Sequence, residues 1–476
     1  MALSLAGLII CCAIMLAALR SEAPITVAMI ASFAFGSTAI ASLQVLGGSS
    51  PMIYVVFVLA LLGTVLLRRE INRDLTSVFS QQRAAWLLVV LAMYVVAGAY
   101  LLPRIFAGET TAFIPERSGG RIVEVPLAPS GGNITQTAYL LLGIMVAIAL
   151  GILMRRPRMF RAIRQGYFAW AILHVCMGFM DYLGRGAGLG DVLAPIRTAS
   201  YAMLTEAGVA GFWRIAGAYS EASAFGAATV VLLAFTFTYW RHTHDRLALV
   251  LSGALCVLLL LSTSSTAYVA GGVLGLCVLA SVLSSLLRGR IRRQDVLLLS
   301  AGLVLLVAVV GMAVLNERVL DPVWRLFDAM VVNKVTSTSG EERAYWNYRS
   351  LQSLYDTAGL GIGLGSSRAS SWIIAVLSQL GIAGSLMFGV LITAIVRSGY
   401  LQGADDIDPE IRSVALSVRA ACLAGLLTAS IAGGSADPGI QFFVAVAVVL
   451  SYRRLVRQAS ETNAGLRYPA LALTRA

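Results

Sequence analysis

Two short segments carry residue types suited to a phosphate-bearing ligand. One reads Arg214-Ile-Ala-Gly-Ala-Tyr-Ser-Glu221-Ala-Ser-Ala-Phe-Gly226. The other begins at Arg343-Ala-Tyr-Trp346 and resumes at Gly361-Ile-Gly-Leu-Gly-Ser-Ser-Arg368-Ala-Ser-Ser371. Guanidinium groups grip phosphate oxygens bidentately and stay charged at any working pH. Arg214, Arg343 and Arg368 are therefore candidate anion ligands. Glu221 is a candidate general base, or a group that orients a hydroxyl. A structural role competes with that one: a carboxylate complementing a helix N-terminus, with Ser220 as the cap. Tyr345 and Trp346 can stack on sugar rings or anchor a chain at a membrane interface. The run through Gly363, Gly365 and Ser366 resembles a phosphate cradle only loosely. It has no Walker lysine and no strand-to-helix context, so a flexible turn is the simpler expectation.

These segments must be positioned by a membrane protein. The chain has 476 residues, 58% of them hydrophobic and 13% charged, with a mean hydropathy of +0.82. An average soluble protein has about 25% charged residues. Too little interior volume exists in a soluble chain of this length for so many apolar side chains. That excludes a soluble enzyme, a secreted disulfide scaffold and a disordered chain. About 20 apolar residues make one membrane crossing. Twelve or thirteen segments qualify, near 2–19, 24–46, 51–67, 85–102, 137–154, 166–183, 222–240, 247–262, 266–287, 296–315, 371–396, 413–432 and 438–452. The expected fold is thus one all-α polytopic domain. The first segment has no basic leader and no cleavage site, and reads as a retained span.

The net charge is +12, with Lys334 the single lysine. Arginines cluster at 68–83, 155–164, 288–293 and 453–457, in alternate loops. By the positive-inside rule these mark the cytoplasmic side and leave 103–136, 184–221 and 316–370 facing outward. With thirteen spans the N-terminus also faces outward. The largest outward loop is long enough for helices of its own. Ser339-Gly-Glu-Glu342 fits a capping box that would start a helix over about 340–357, with Ala344, Tyr348, Leu351 and Tyr355 on one face. Outward loops should be poor in arginine, yet these hold Arg185, Arg197, Arg214, Arg318, Arg325, Arg343, Arg349 and Arg368. Salt bridges with Glu341, Glu342, Asp321 or Asp328 would account for them singly. As a set they point to an anion at the membrane face, for which a lipid-linked diphosphate is the natural ligand.

Neither a metal nor a cofactor is expected. The six cysteines lie in apolar stretches with no CxxC spacing, and His174, His242 and His244 form no zinc pattern. Asp405-Asp406 resembles a metal pair but falls in a predicted cytoplasmic loop, where a solvated charge run is the simpler reading. The basic residues lie between apolar runs, which argues against nucleic acid.

With these residues in view, the chain resembles the O-antigen ligase and polymerase superfamily, which includes the Wzy-type bacterial polysaccharide polymerases. Three segments carry the likeness: Arg214 to Gly226, Ser262-Thr-Ser-Ser-Thr-Ala267, and Arg343 through Gly361-x-Gly-x-Gly-Ser366 to Gly381-Ile-Ala-Gly384. With the span layout it covers roughly residues 160–450. Many members carry a His-Asn pair shortly before the last glycine motif, where this chain has Ala369, Ser370 and Ser371. Many also have an arginine in the second motif, where this chain has serine and threonine. Both departures count against an ordinary ligase.

The resemblance implies a GT-C-like membrane glycosyltransferase of the bacterial inner membrane, its site facing the periplasm. It would polymerise undecaprenyl-diphosphate-linked oligosaccharide into exported polysaccharide, inverting and metal-independent. Flippase and chain-length or export proteins are the implied partners. Under that reading Arg214, Arg343 and Arg368 hold the donor diphosphate and Glu221 acts on the acceptor. The alternatives are a ligase moving finished glycan onto lipid A-core or protein, a transporter or lipid flippase, and a non-catalytic scaffold.

Overall fold

The computed structural model describes residues 2–21, 23–42, 50–115, 122–200, 203–205, 208–209, 212–289, 293–315, 328, 337–397 and 407–467. It is mostly helical (75%), with 15 α-helices among the described residues. Six are long and apolar enough to cross a membrane, and the chain is a polytopic, all-α membrane protein in its main architecture. The helices are α1 (Leu5–Ala18), α2 (Pro24–Ala31), α3 (Ile53–Leu66), α4 (Ile71–Gln81), α5 (Arg83–Ile105), α6 (Gly131–Leu153), α7 (Arg158–Gly186) and α8 (Ala222–Thr243). They continue as α9 (Arg246–Leu261), α10 (Ser265–Leu287), α11 (Arg293–Leu315), α12 (Thr338–Asp356), α13 (Trp372–Arg397), α14 (Pro409–Ala432) and α15 (Ile440–Arg467).

A helix stands at each of the thirteen expected segments, with α4 and α12 as additions between them. The second segment departs most from expectation. Helix α2 stops at Ala31, a 3-10 turn follows over Ser32–Ala34, and Ala41–Ser42 pairs with Ala2–Leu3. Tertiary contacts end the helix. Gly36 lies under the Tyr219 ring, and the Ser37 N–H and hydroxyl both donate to the Ala218 carbonyl (2.9 and 2.8 Å).

Helix α8 is the most deeply buried of the six long apolar helices. Small residues let its neighbours approach: a Cβ on Gly226 would stand 2.7 Å from Ala267 of α10. Helices α9, α10 and α14 pack on it, and α7 packs on α2 and α9. The six cysteines are free, two buried and four on exposed helix faces.

The bundle has two distinct ends. At one, arginines tie helix ends together: Arg68 and Arg155 share Asp74 (both 3.1 Å), Arg164 meets Glu410 (2.5 Å), and Arg241 meets Asp295 (2.6 Å). The other end gathers the loops before α6, α8 and α13. It also carries a hairpin that the helical reading of the chain did not anticipate, β3 (Thr111–Pro115) with β4 (Ile122–Pro126). Alternating β-branched residues in Ile122-Val-Glu-Val-Pro126 are the signal that was available.

Helix α12 begins at Thr338, capped by Ser337, whose side chain accepts from the Gly340 N–H (3.2 Å). The cap is therefore Ser337 and not Ser339. The packed face also differs from the expected one. Tyr348 and Tyr355 are 65% and 82% exposed, while Ser350 and Ser353 are buried. Hydrogen bonding to the hairpin and to the following turn outweighs the apolar count of the tyrosine face.

Candidate functional site

The loop leading into α8 is held from behind by a buried carboxylate. Asp181 is fully buried and accepts the Arg185 guanidinium (2.8 Å) and the N–H groups of Ala216 and Gly217 (both 2.9 Å). Arg197 donates through Nε to the Gly217 carbonyl (2.8 Å) and pairs with Asp191. The Tyr219 hydroxyl donates to the Phe33 carbonyl (3.1 Å) and accepts from Trp170 Nε1 (3.2 Å). Residues 215–219 are thus anchored on both sides, which fixes where Arg214 and Glu221 project. Arg185 and Arg197 are used structurally, and their partners are Asp181 and Asp191 instead of the acids expected from the large loop.

Arg214 and Glu221 stand differently. Glu221 occupies the N-cap position of α8 but makes no capping bond; its carboxylate accepts the Ser223 hydroxyl (2.5 Å). Neither Ser220 nor the Glu221 side chain makes a capping hydrogen bond, so the Ser220 cap is absent, while the Glu221 carboxylate does stand at the helix N-terminus where it complements the dipole. Burial lowers the pKa of the Arg214 guanidinium, the Glu221 and Tyr268 charges oppose that, and the Arg343 charge adds to it. The Arg343 charge on α12 is thus felt at Arg214 across a long sequence separation. Arg214 Nε is buried without a hydrogen-bond partner. Among the described residues, neither Arg214 nor Arg343 forms a salt bridge. A pair of cations near one carboxylate, with desolvated donors, is an arrangement that favours an anion.

Two helix N-termini meet at this point. Ser264 caps α10 through the Ala267 N–H (3.4 Å), and Gly226 of α8 lies against Ser264 and Ala267. Ser262, Thr263, Ser264 and Thr266 are buried, and Thr263 has φ 45° with its hydroxyl unpartnered. A β-branched residue rarely adopts that conformation. Tyr268, which acts electrostatically on Arg214, is absent from the sequence-based set and directly follows the Ser262–Ala267 segment that contains Thr263. The serine- and threonine-rich motif was the available signal, but its place against Gly226 depends on the packing of α8 on α10.

The glycine segment behaves otherwise. Gly359, Gly361, Gly363 and Gly365 all have φ near +80°, a region open mainly to glycine. The turn they form is closely packed against α13 and the start of α6. It docks into a break in α13 at Gly381 (φ 64°), where a Cβ would lie 2.4 Å from the Leu360 carbonyl oxygen. Its N–H groups are engaged within the protein. Ile362 donates to the Ser378 carbonyl and Gly363 to the Gln379 carbonyl (both 2.9 Å), and Gly365 to Gln379 Oε1 (2.8 Å). The Ser366 hydroxyl donates to the Ile362 carbonyl (2.7 Å) and accepts from Asn133 (2.8 Å). The buried Ser370 donates its N–H to Asn347 Oδ1 (2.8 Å). Gly363, Gly365, Ser366 and Ser370 therefore shape the loop, and these engaged groups are not free phosphate donors.

Arg368 is exposed, and its guanidinium lies along Gly434 between α14 and α15. Its backbone N–H donates to the Phe113 carbonyl (3.0 Å). It joins the rim through Ser370 and Asn347, one helical turn from Arg343, but it is not among the charges that act on Arg214. Tyr345 donates to Glu124 (2.7 Å), and both Tyr345 and Trp346 pack on the Phe113 ring (centroids 5.9 and 6.2 Å). Hydrogen bonds from Thr111, Tyr345 and Arg349 hold the Glu124 carboxyl below its usual pKa. These aromatics fasten α12 to the hairpin. Arg349 is spent there as well, on Glu124 (2.9 Å). Arg318, Arg325, Asp321 and Asp405-Asp406 lie outside the described residues.

The loop after α14 adds one acid. Burial pushes the Asp437 carboxyl up to about 6, against a hydrogen bond from the Gly439 N–H (3.0 Å). An aromatic cavity of about 300 Å³ lies below, lined by Trp170, Tyr219, Phe442 and Gly439 among others. Among the described residues no three His, Cys, Asp or Glu side chains come together as around a metal ion. No protein-family model matches the chain, and no curated protein matches its sequence.

Proposed function

We propose that the protein is a membrane glycosyltransferase that polymerises lipid-diphosphate-linked oligosaccharide into exported polysaccharide, with its site on the outward side of a bacterial inner membrane. One observation carries this reading. Arg214, free of salt bridges among the described residues and with a buried Nε that has no hydrogen-bond partner, feels the charges of both Glu221 and Arg343 just ahead of the N-terminus of α8. The resemblance to the O-antigen ligase and polymerase superfamily rests on the same residues and supplies the undecaprenyl diphosphate donor.

The reaction needs positive charge beside a leaving diphosphate and a base beside an acceptor hydroxyl. The acceptor oxygen bonds to the donor anomeric carbon as the bond from that carbon to the phosphate oxygen breaks, with inversion. Glu221 takes the hydroxyl proton, and Arg214 with Arg343 receives the departing diphosphate. Arg368 guides the donor at the rim. The lack of histidine at Ser370 favours polymerisation over ligation within this chemistry.

The test is reconstitution in liposomes with a lipid-diphosphate oligosaccharide and a chelator. A ladder of lengthened glycans supports polymerisation. A single transfer to an added acceptor supports a ligase, and movement of lipid-linked glycan across the bilayer without bond formation supports a flippase.

A further inference from the structure

The end of the bundle opposite this site has a pocket of about 480 Å³ between the C-terminal ends of α3 and α6. Arg68, Arg69 and Arg156 line it, with Glu70, Thr64 and Leu153. Arg68 is neutralised by Asp74 (3.1 Å), and Glu70 is offset by Arg73 (3.4 Å). Arg69 and Arg156 are exposed and, among the described residues, have no acidic partner. A further cation lies near Arg155, the neighbour of Arg156 in the chain: Arg454 is 7% exposed, its Nε and Nη1 have no hydrogen-bond partner, and the Arg155 charge acts on it. The pocket thus holds more positive charge than its acids match.

Its surroundings are those of a bilayer interface. Leu66 and Leu67, beside the arginines, are 64% and 87% exposed. Helix α4 is amphipathic, burying Val78 while Arg73 stays exposed. Trp86 at the start of α5 is exposed and donates through Nε1 to the Phe79 carbonyl (3.1 Å), a placement usual for interfacial tryptophan. Basic pockets between helix ends at such a depth suit phosphate headgroups.

We propose that this pocket binds the phosphate headgroup of an anionic phospholipid through Arg69 and Arg156, with the acyl chains against Leu66 and Leu67. The site is independent of the glycosyltransferase reading and lies at the other end of the helices. The experiment is native mass spectrometry of the full chain in mild detergent, titrated with phosphatidylglycerol or phosphatidylcholine. Phosphatidylglycerol adducts are expected at the lower concentration. The double variant Arg69→Ala/Arg156→Ala should weaken them about thirtyfold, and Arg69→Gln alone about fivefold, at roughly one surface cation per variant site. Neither variant should change phosphatidylcholine binding or the thermal midpoint. Equal retention of the two lipids, or an unchanged phosphatidylglycerol titration in both variants, overturns the proposal. Displacement of phosphatidylglycerol by millimolar inorganic phosphate assigns the pocket to a soluble anion and overturns the headgroup assignment.

Discussion

The loop before α8 and the glycine turn before α13 treat their polar groups in opposite ways. In the first, Asp181, Arg197 and Ser37 hold the backbone of 216–218 so firmly that Arg214 and Glu221 need no structural partner beyond Ser223. In the second, backbone donors at 361, 362, 363 and 365 are consumed by Thr357, Ser378 and Gln379. The more conspicuous motif is therefore the architectural one. A residue left unpaired by a rigid surrounding is a better pointer to chemistry than a pattern of glycines.

That contrast can be broken experimentally. The largest expected effect is on turnover in Glu221→Gln, a loss of about 10²–10⁴-fold with the thermal midpoint unchanged. Full activity in that variant would remove Glu221 as the base. Next, Arg214→Ala and Arg343→Ala should each reduce turnover about 10²–10³-fold, as expected for lost charge stabilisation of a leaving group. Unchanged donor affinity and turnover in both would sink the clamp.

The glycine turn should fail the other way. Gly381→Ala places a Cβ against the Leu360 carbonyl at positive φ, and should cost about 1–3 kcal/mol of stability or more. Yield and melting temperature should fall while the protein that folds keeps its turnover. Lost turnover at normal stability would return the turn to the chemistry.

The smallest effect concerns Asp437. Its folded pKa of about 6 lies above the ordinary value of 3.8, so the folded state binds the proton more tightly than the unfolded state. Stability contributed by this group therefore falls as pH rises from about 4 to 6 and stays low above that. Asp437→Asn should raise stability at pH 7 by about 1–3 kcal/mol and have little effect at pH 4. A melting series across pH that shows no difference between the two proteins would contradict the assignment.

Much of the fold was legible in the chain because the bilayer imposes a coarse, additive rule. Each long apolar run, such as 83–105 or 222–243, must be helical to satisfy its own backbone. The same rule could not foresee α2, which Tyr219 and Ala218 cut short, or the hairpin at 111–126, which α12 stabilises through Glu124. Within the site, Arg214 and Glu221 were readable because a carboxylate and an arginine near a span entry are costly residues. Arg185, Arg197 and Arg349 were indistinguishable from them by type.

What the sequence determined by itself was the helical membrane class and the approximate place of each long apolar helix. What only the tertiary structure decided was which arginines are neutralised. Pairing depends on distances of a few ångströms between residues far apart in the chain, such as Arg349 with Glu124 or Arg241 with Asp295. Composition and spacing contain no such distances, and the Coulomb energy that separates a structural arginine from an available one is set by them.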